Sequence, residues 1–360
     1  MRYQIIILTM LAVLLMSSFP TPCVSASVEL TERASDQKDL HKVQVADVGA
    51  EVLPSITYYL PWVCKDCDVP RPIRGVRFQS SSCDRPSDCT QRLDCLAAAG
   101  VNVLYYSVYD REAYYHSALL PHRDFDSLAY LVPRAHARGM EVYSLIPVAE
   151  IGWPEHPAWN ARLNHRGVSD DWLDFAVPEA RSFVADVAAE IVTEYDVDGI
   201  LLDYIRWRSA WFDNADLSAS DVSRTVQGIY ERVKAVRPVS VAASVYRNRD
   251  SASGARQRWY DWLSGGYIDY VTPMAYVDTR ELRVLLNEWR ASGYFPERII
   301  PRLSVVWFEP TAVTPKAVED VLQQMGICYD AGSTGMTLWN DRYICRNPDL
   351  VGALGRGWRY

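Results

Sequence analysis

Beyond its first few dozen residues the chain has no apolar run approaching the ~20 residues that a membrane-spanning helix needs. It has no run of Lys or Arg, and its net charge is −8. Binding to a nucleic-acid backbone rests on clustered cations, so that class of partner is set aside. Histidine is sparse: the six residues His41, His116, His122, His136, His156 and His165 are scattered. None has metal-ligand spacing, and neither a metal nor a cofactor is expected. There is no Gly-x-Ser-x-Gly turn to raise a serine nucleophile, which leaves an ester or amide hydrolase without support. No glycine-rich phosphate loop follows the first strand-like run, which argues against an open doubly wound sheet.

What the chain does carry begins with "MRYQIIILTMLAVLLMSSFPTPCVSAS". Arg2, the apolar run Ile5 to Met16 and the small residues Val24-Ser25-Ala26 make a secretory signal peptide over residues 1–26, cleaved after Ala26. An uncleaved anchor is the alternative, against which the shortness of the apolar run counts. Lipidation at Cys23 is disfavoured by Pro22. Residues 27–50 are polar and without apolar period, as in a loose linker. A secreted or periplasmic protein is expected, with one domain over residues 51–360. Hydrophobic residues make up 49% of the chain and aromatics 12%, including 12 Trp and 22 Tyr, so a large core with aromatic surface to spare is available.

Of the 8 Cys, Cys23 would leave with the signal. Cys64, Cys67, Cys83, Cys89 and Cys95 cluster early, and Cys328 and Cys345 lie late. Export makes loop-stapling disulfides the leading expectation, with at least one thiol left over. A zinc site remains open, although the second pair, "CDRPSDC", is spaced too widely for a usual knuckle.

From residue 73 onward strand-like runs alternate with amphipathic ones. The strands are expected at 73–80, 101–109, 140–148, 198–204, 240–246, 267–276, 298–307 and 335–340. The clearest helix is "PEARSFVADVAAEIVTEY", where Phe183, Val187, Ile191 and Tyr195 recur every four residues and Pro178 stands in the first turn. Further helices are expected near 88–99, 126–138, 218–236, 281–292, 315–326 and 347–354. Gly100, Gly139, Gly266 and Gly293 sit where helices would end. Such a rhythm, with near-continuously apolar strands, gives a (β/α)8 TIM barrel, and the C-terminal ends of its strands are where a site belongs.

At the end of the fourth strand, "VDGILLDYIRW", charge follows an apolar run. Asp198 lies at the entering turn and reads as structural. Asp203 lies where the barrel opens and reads as a catalytic nucleophile, base or charge stabiliser; its competing role is an ion pair with Arg206 or Arg208. Glycoside hydrolysis needs a second carboxyl. Glu150 after the third strand leads, with Glu309 after the seventh; Asp110, Asp278 and Asp341 stand at comparable levels. Trp153 beside Glu150, or Trp307 and Phe308 beside Glu309, could supply the apolar wall that raises a proton donor's pKa. Tyr106, Tyr276, Trp307 and Trp339 offer flat faces for a sugar ring. Arg77, Gln79, Tyr204, Arg247 and Asn340 offer hydrogen bonds, and Arg206, Trp207, Tyr246 and Met274 complete the expected substrate contacts. Arg77 and Arg206 are unusual for a neutral sugar and point to an anionic or N-acetylated glycan.

"YDVDGILLDYIRW" resembles the fourth-strand signature of glycoside hydrolase-like family 10. "WLDFAVPEARSFVADVAAEIV" fits the segment before it, and "IDYVTPMAY" is similar to the family's sixth strand. The resemblance spans roughly residues 73–340. Two departures point instead to a sister hydrolase-like family: the turn Tyr204-Ile205-Arg206-Trp207, and a third strand that is not Trp-rich. Ile205 stands where family 18 chitinases carry a Glu, so their mechanism is not expected. The resemblance implies a TIM-barrel glycosidase acting on a polysaccharide, with cell-envelope strands such as peptidoglycan as the substrate. The alternative is a non-catalytic carbohydrate-binding barrel.

Overall fold

The computed structural model describes residues 72–151, 172–206 and 219–358, together with two short strands further upstream. Trp207, Cys64, Cys67, Trp153, His156, His165, Arg208 and the signal sequence lie outside the described residues. The chain divides into two compact units, Met1–Pro70 and Arg71–Tyr360. In the first, Glu29–Leu30 pairs antiparallel with Ile56–Thr57.

The second unit is a closed barrel of eight parallel strands: β1 (Arg74–Phe78), β2 (Val103–Ser107), β3 (Glu141–Pro147), β4 (Gly199–Asp203), β5 (Ser240–Val245), β6 (Tyr270–Ala275), β7 (Arg302–Ser304) and β8 (Met336–Trp339). Each pairs with its neighbour in sequence, and β8 closes on β1 through Thr337 opposite Gly75. Helices follow the strands in turn: α1 (Pro86–Ala98), α2 (Ser127–His136), α3 (Pro178–Glu194), α4 (Ala219–Val236), α5 (Trp259–Gly265), α6 (Thr279–Ala291), α7 (Val318–Asp330) and α8 (Pro348–Gly357). The barrel and the order of its eight strands match the sequence expectation, and each barrel strand falls within an expected run.

Several elements go beyond or differ from it. No helix is expected between β5 and β6, yet a helix Arg249–Gly254 and α5 lie there. α5 has seven residues, and Trp259, Tyr260, Trp262 and Leu263 are all buried. A single apolar turn leaves no period to read. The seventh strand is expected as one run to residue 307 but stops at Ser304. The chain then turns into a hairpin of Val306–Phe308 against Val313–Pro315. On α3 the buried face is centred on Val184, Val187, Ala188 and Ile191, with Phe183 and Tyr195 at its margins.

Alternation along the strands sorts side chains into two cores. Leu104, Val142, Ile200, Leu202, Val241 and Ala243 point outward and meet the helices in one continuous cluster. Tyr105, Tyr143, Leu145, Leu201, Ala242 and Tyr270 point inward and fill the barrel. The Tyr105 and Tyr270 hydroxyls share a hydrogen bond at 3.0 Å across it. Gly199 belongs to this packing: a Cβ there would stand 2.3 Å from the Tyr143 ring and 2.7 Å from the Ser240 carbonyl. Asp198 holds the barrel floor as expected. Its Oδ2 accepts from the Val142 N–H at 2.7 Å and bonds His136 Nε2 at 2.9 Å. Asp269 repeats the device two strands on, accepting from the Val241 N–H at 2.7 Å and from Lys234 Nζ at 2.8 Å.

Among the described residues two disulfides form, Cys83–Cys89 and Cys95–Cys345, while Cys328 is a free, buried thiol whose pKa burial pushes up to about 12. No group of His, Cys, Asp or Glu fit to hold a metal occurs among the described residues, and no described helix is long and apolar enough to cross a membrane.

Candidate active site

Inward-facing residues near the C-terminal ends of the strands form a cleft of about 220 Å³. Its described lining is Arg77 from β1, Asp203, Tyr204 and Arg206 from β4 and its turn, Met274 and Tyr276 from β6, Arg302 from β7, Phe308 from the hairpin, and Trp339 from β8. The parity that sends Leu201 inward also sends Asp203 inward, two residues on. Directly after it the chain turns sharply, with Tyr204 at φ 50 and the Arg206 N–H donating to the Tyr204 carbonyl at 2.9 Å. Ile205 is fully buried and anchors that turn. Gln257 clamps it: its Nε2 donates to the Ile205 carbonyl at 3.0 Å, and its Oε1 accepts from the Tyr246 N–H at 2.8 Å.

Asp203 is 7% exposed. Its Oδ1 accepts from the Tyr204 N–H at 3.0 Å, and its Oδ2 lies 3.7 Å from Arg77 Nη1. That separation is an ion pair without a hydrogen bond. Arg206, the partner weighed from sequence, turns away: its Nη1 donates to the Tyr246 hydroxyl at 2.8 Å, and its guanidinium lies 4.9 Å from the Tyr204 ring centre and 5.2 Å from that of Tyr246. Asp203 is therefore not locked to Arg206. Burial is the largest single influence on Arg77 and works against its charge, but Asp203, Tyr204, Tyr276 and Asp341 together outweigh it, so the pKa of Arg77 is raised. Burial raises Tyr204, with Asp203 and then Glu150 adding to it. Burial takes Tyr276 up to about 12, against the pull of Arg302 and Arg77.

Tyr276, Phe308 and Trp339 make one aromatic wall. Tyr276 stacks on Phe308 with ring centres 5.3 Å apart, and Phe308 meets Trp339 at 4.9 Å. Phe308 is 47% exposed, which leaves a bare apolar face at the mouth. Such a face suits the C–H side of a pyranose.

Seven of the expected residues come together in this cleft: Arg77, Asp203, Tyr204, Arg206, Met274, Tyr276 and Trp339. Tyr246 joins through Arg206. The others are held elsewhere. Tyr106 has outward parity; it is fully buried against Phe78, and its hydroxyl bonds Ser127 on α2. Gln79 uses its N–H on Asp341 Oδ1 at 3.0 Å. Arg247 Nε donates to Glu281 on α6 at 2.9 Å. Trp307 sits on the hairpin with Lys316 Nζ 4.2 Å above its ring. Asn340 caps the short helix Asp341–Cys345, its Oδ1 accepting from the Arg342 N–H at 3.1 Å.

The carboxylates differ as sharply. Glu150 ends a short turn after β3, is exposed, and reaches Tyr204 by its charge. Glu309 is exposed at the hairpin tip, where its Oε1 accepts from Thr314 at 3.4 Å. Asp110 belongs to a second hairpin, and Asp278 caps α6. Asp341 is fully buried, 3.3 Å from Arg92 Nε; burial raises its pKa against the Gln79 N–H, Ser82 and Arg92.

Arg302 is missing from the sequence reading. The signal for it was parity: counting inward positions along "RLSVVW" puts Arg302 and Ser304 inside the barrel. Phe308 was read only as a wall for Glu309, because nothing in the sequence shows the hairpin folding back over Tyr276.

No family model matches the chain. It is 23% identical over 294 residues to the glycosyl hydrolase DigH of Escherichia coli (strain K12), covering 62% of this chain and 67% of that one. It is 24% identical over 246 residues to the glycosyl hydrolase YngK of Bacillus subtilis (strain 168), covering 51% and 48%. Among solved structures, the glycoside hydrolase domain of PgaB (BpsB) from Bordetella bronchiseptica superposes with a TM-score of 0.63 at 16% identity, over 79% of this chain and 98% of that one. The last likeness is one of fold. Together the sequence relatives and the barrel support a glycosidase, and they do not single out glycoside hydrolase-like family 10.

Proposed function

We propose that this protein is an exported glycoside hydrolase that cleaves O-glycosidic bonds in a polysaccharide of the cell envelope, with Asp203 as the essential carboxyl and Glu150 as its partner. One observation carries the reading: Asp203 ends β4 facing inward, under an aromatic wall, held by a single N–H and a 3.7 Å ion pair that leave Oδ2 free to face a ligand. A carboxylate so placed can attack an anomeric carbon, activate water or balance an oxocarbenium charge. Glu150 is preferred over Glu309 because its charge is felt at Tyr204, the neighbour of Asp203, whereas Glu309 is tied into its own hairpin. The two disulfides accord with export.

The test is product release by mass spectrometry on a glycan panel for wild type, Asp203→Asn, Glu150→Gln and Glu309→Gln. The expected result is a loss of roughly 10²–10⁴-fold in kcat for the first two variants and little change for the third. Equal turnover by wild type and Asp203→Asn would remove Asp203 from the mechanism. A second reading, a carbohydrate-binding barrel without chemistry, draws on the cleft's described lining, which holds one carboxylate and three arginines. Binding by every form with cleavage by none would favour it.

A further inference from the structure

Arg302 is the most deeply buried charge in the cleft. It is 1% exposed, and its side-chain partners among the described residues are neutral hydroxyls: Nε donates to Thr337 Oγ1 at 3.2 Å, Nη1 to Ser244 Oγ at 2.8 Å, and the guanidinium also bears on the Tyr276 hydroxyl. Its Nη2 is buried with no hydrogen-bond partner, although the residue lines the cleft. The Tyr105 ring lies 5.6 Å away and offsets little of the charge at that range. A guanidinium buried without a carboxylate is costly unless an anion reaches it. Arg77, across the floor, has a second orphan: its buried Nε is unpartnered, and its one ion pair is the long contact to Asp203. Arg206 is already engaged with Tyr246.

Resting on the glycosidase reading, we propose that Arg302 and Arg77 form a subsite for the carboxylate of an acidic sugar unit, whose ring lies against Trp339, Tyr276 and Phe308. Both arginines line the same cleft, and each keeps a buried donor without a hydrogen bond, Arg302 Nη2 and Arg77 Nε. Guanidinium edges match the two oxygens of a planar carboxylate better than any neutral acyl group. Because Asp203 already offsets Arg77, Arg302 is the member of this pair whose charge is left for a ligand carboxylate. A dianionic phosphate would stand against the carboxylate of Asp203 and is disfavoured.

The experiment measures binding by calorimetry to the inactive Glu150→Gln protein, which keeps Asp203 opposite Arg77. The probes are oligosaccharides containing hexuronic acid or a lactyl-substituted amino sugar, each beside its carboxyl-reduced neutral counterpart, with a sulfated oligosaccharide as a further arm. The acidic oligomer is expected to bind about tenfold or more tightly than its reduced partner. Arg302→Met in the same background is expected to bring that ratio near one while the neutral oligomer keeps its affinity, which also shows that the variant has folded. Equal affinity for acid and reduced forms overturns the subsite. So does tighter binding of the sulfated probe, or a ratio that survives Arg302→Met. Wild-type enzyme that cleaves acidic and reduced oligomers at equal kcat/KM would keep the hydrolase and remove the subsite. A preference for acid with no bond cleaved would keep the subsite and remove the hydrolase.

Discussion

Two tyrosines that stand side by side in "VLYYS" have opposite lives. Tyr105 points into the barrel and Tyr106 points at α2. Tyr106→Phe is expected to leave kcat/KM unchanged and to lower stability by about 1 kcal/mol, the worth of one buried hydrogen bond, as read by urea denaturation. Trp339→Ala should do the reverse. It is expected to raise KM on any glycan that is cleaved, with only a small shift in Tm, because Trp339 is part of the cleft wall rather than of the packed core. If Tyr106→Phe impairs turnover at unchanged stability, the parity assignment of β2 is wrong. The sequence named both residues as sugar contacts because both are aromatic and near a strand end. Facing is what separates them, and facing follows from which neighbour is already known to be inside.

The hairpin after β7 is the element that sequence misjudged and the site depends on. It brings Phe308 over Tyr276, and its base is pinned by Lys316. That lysine is 3% exposed; its Nζ donates to Gln324 Oε1 at 2.8 Å, and Gln324 Nε2 donates to the Val277 carbonyl at 2.7 Å. Burial lowers the Lys316 pKa to about 8, with Asp320 opposing. A lysine lowered on folding binds fewer protons in the native state than in the unfolded chain between about pH 8 and its ordinary value. The cost of burying its charge is therefore fully present below pH 8 and is relieved as pH rises towards about 10.4. Wild type should gain about 1–3 kcal/mol across that window relative to Lys316→Met, the lower end applying if the Trp307 ring stabilises the cation. Parallel stability–pH curves for the two proteins would show that Lys316 does not titrate there.

Over the whole molecule, the chain ends of the barrel are joined covalently. Cys95 on α1 and Cys345 after β8 are 250 residues apart, whereas Cys83 and Cys89 are 6 apart. On the loop-entropy account, the long crosslink restricts the unfolded chain far more than the short one. Replacing Cys95 and Cys345 with Ala is expected to cost about 5–6 kcal/mol, against about 2 kcal/mol for the Cys83 and Cys89 pair, in denaturant titrations without reductant. A larger loss from the short pair would reverse the assignment. The spacing of the cysteines allowed disulfides without naming partners, since closure of β8 on β1 is what brings residues 95 and 345 together.

The sequence by itself determined the barrel, the strand positions, and Asp203 as the charge at the opening, because strand parity, apolar runs and helix ends are local signals. It also placed Asp198 at the floor. The tertiary structure decided the rest. Arg77, not Arg206, faces Asp203; Arg302 lies buried in the cleft with hydroxyl partners and no carboxylate among the described residues; Tyr106 is core; and the hairpin supplies Phe308. Each of these depends on which strands become neighbours in a closed ring and on where a side chain finds its partner across it. Local sequence carries neither, since partners such as Arg302 and Ser244 are separated by 58 positions in the chain.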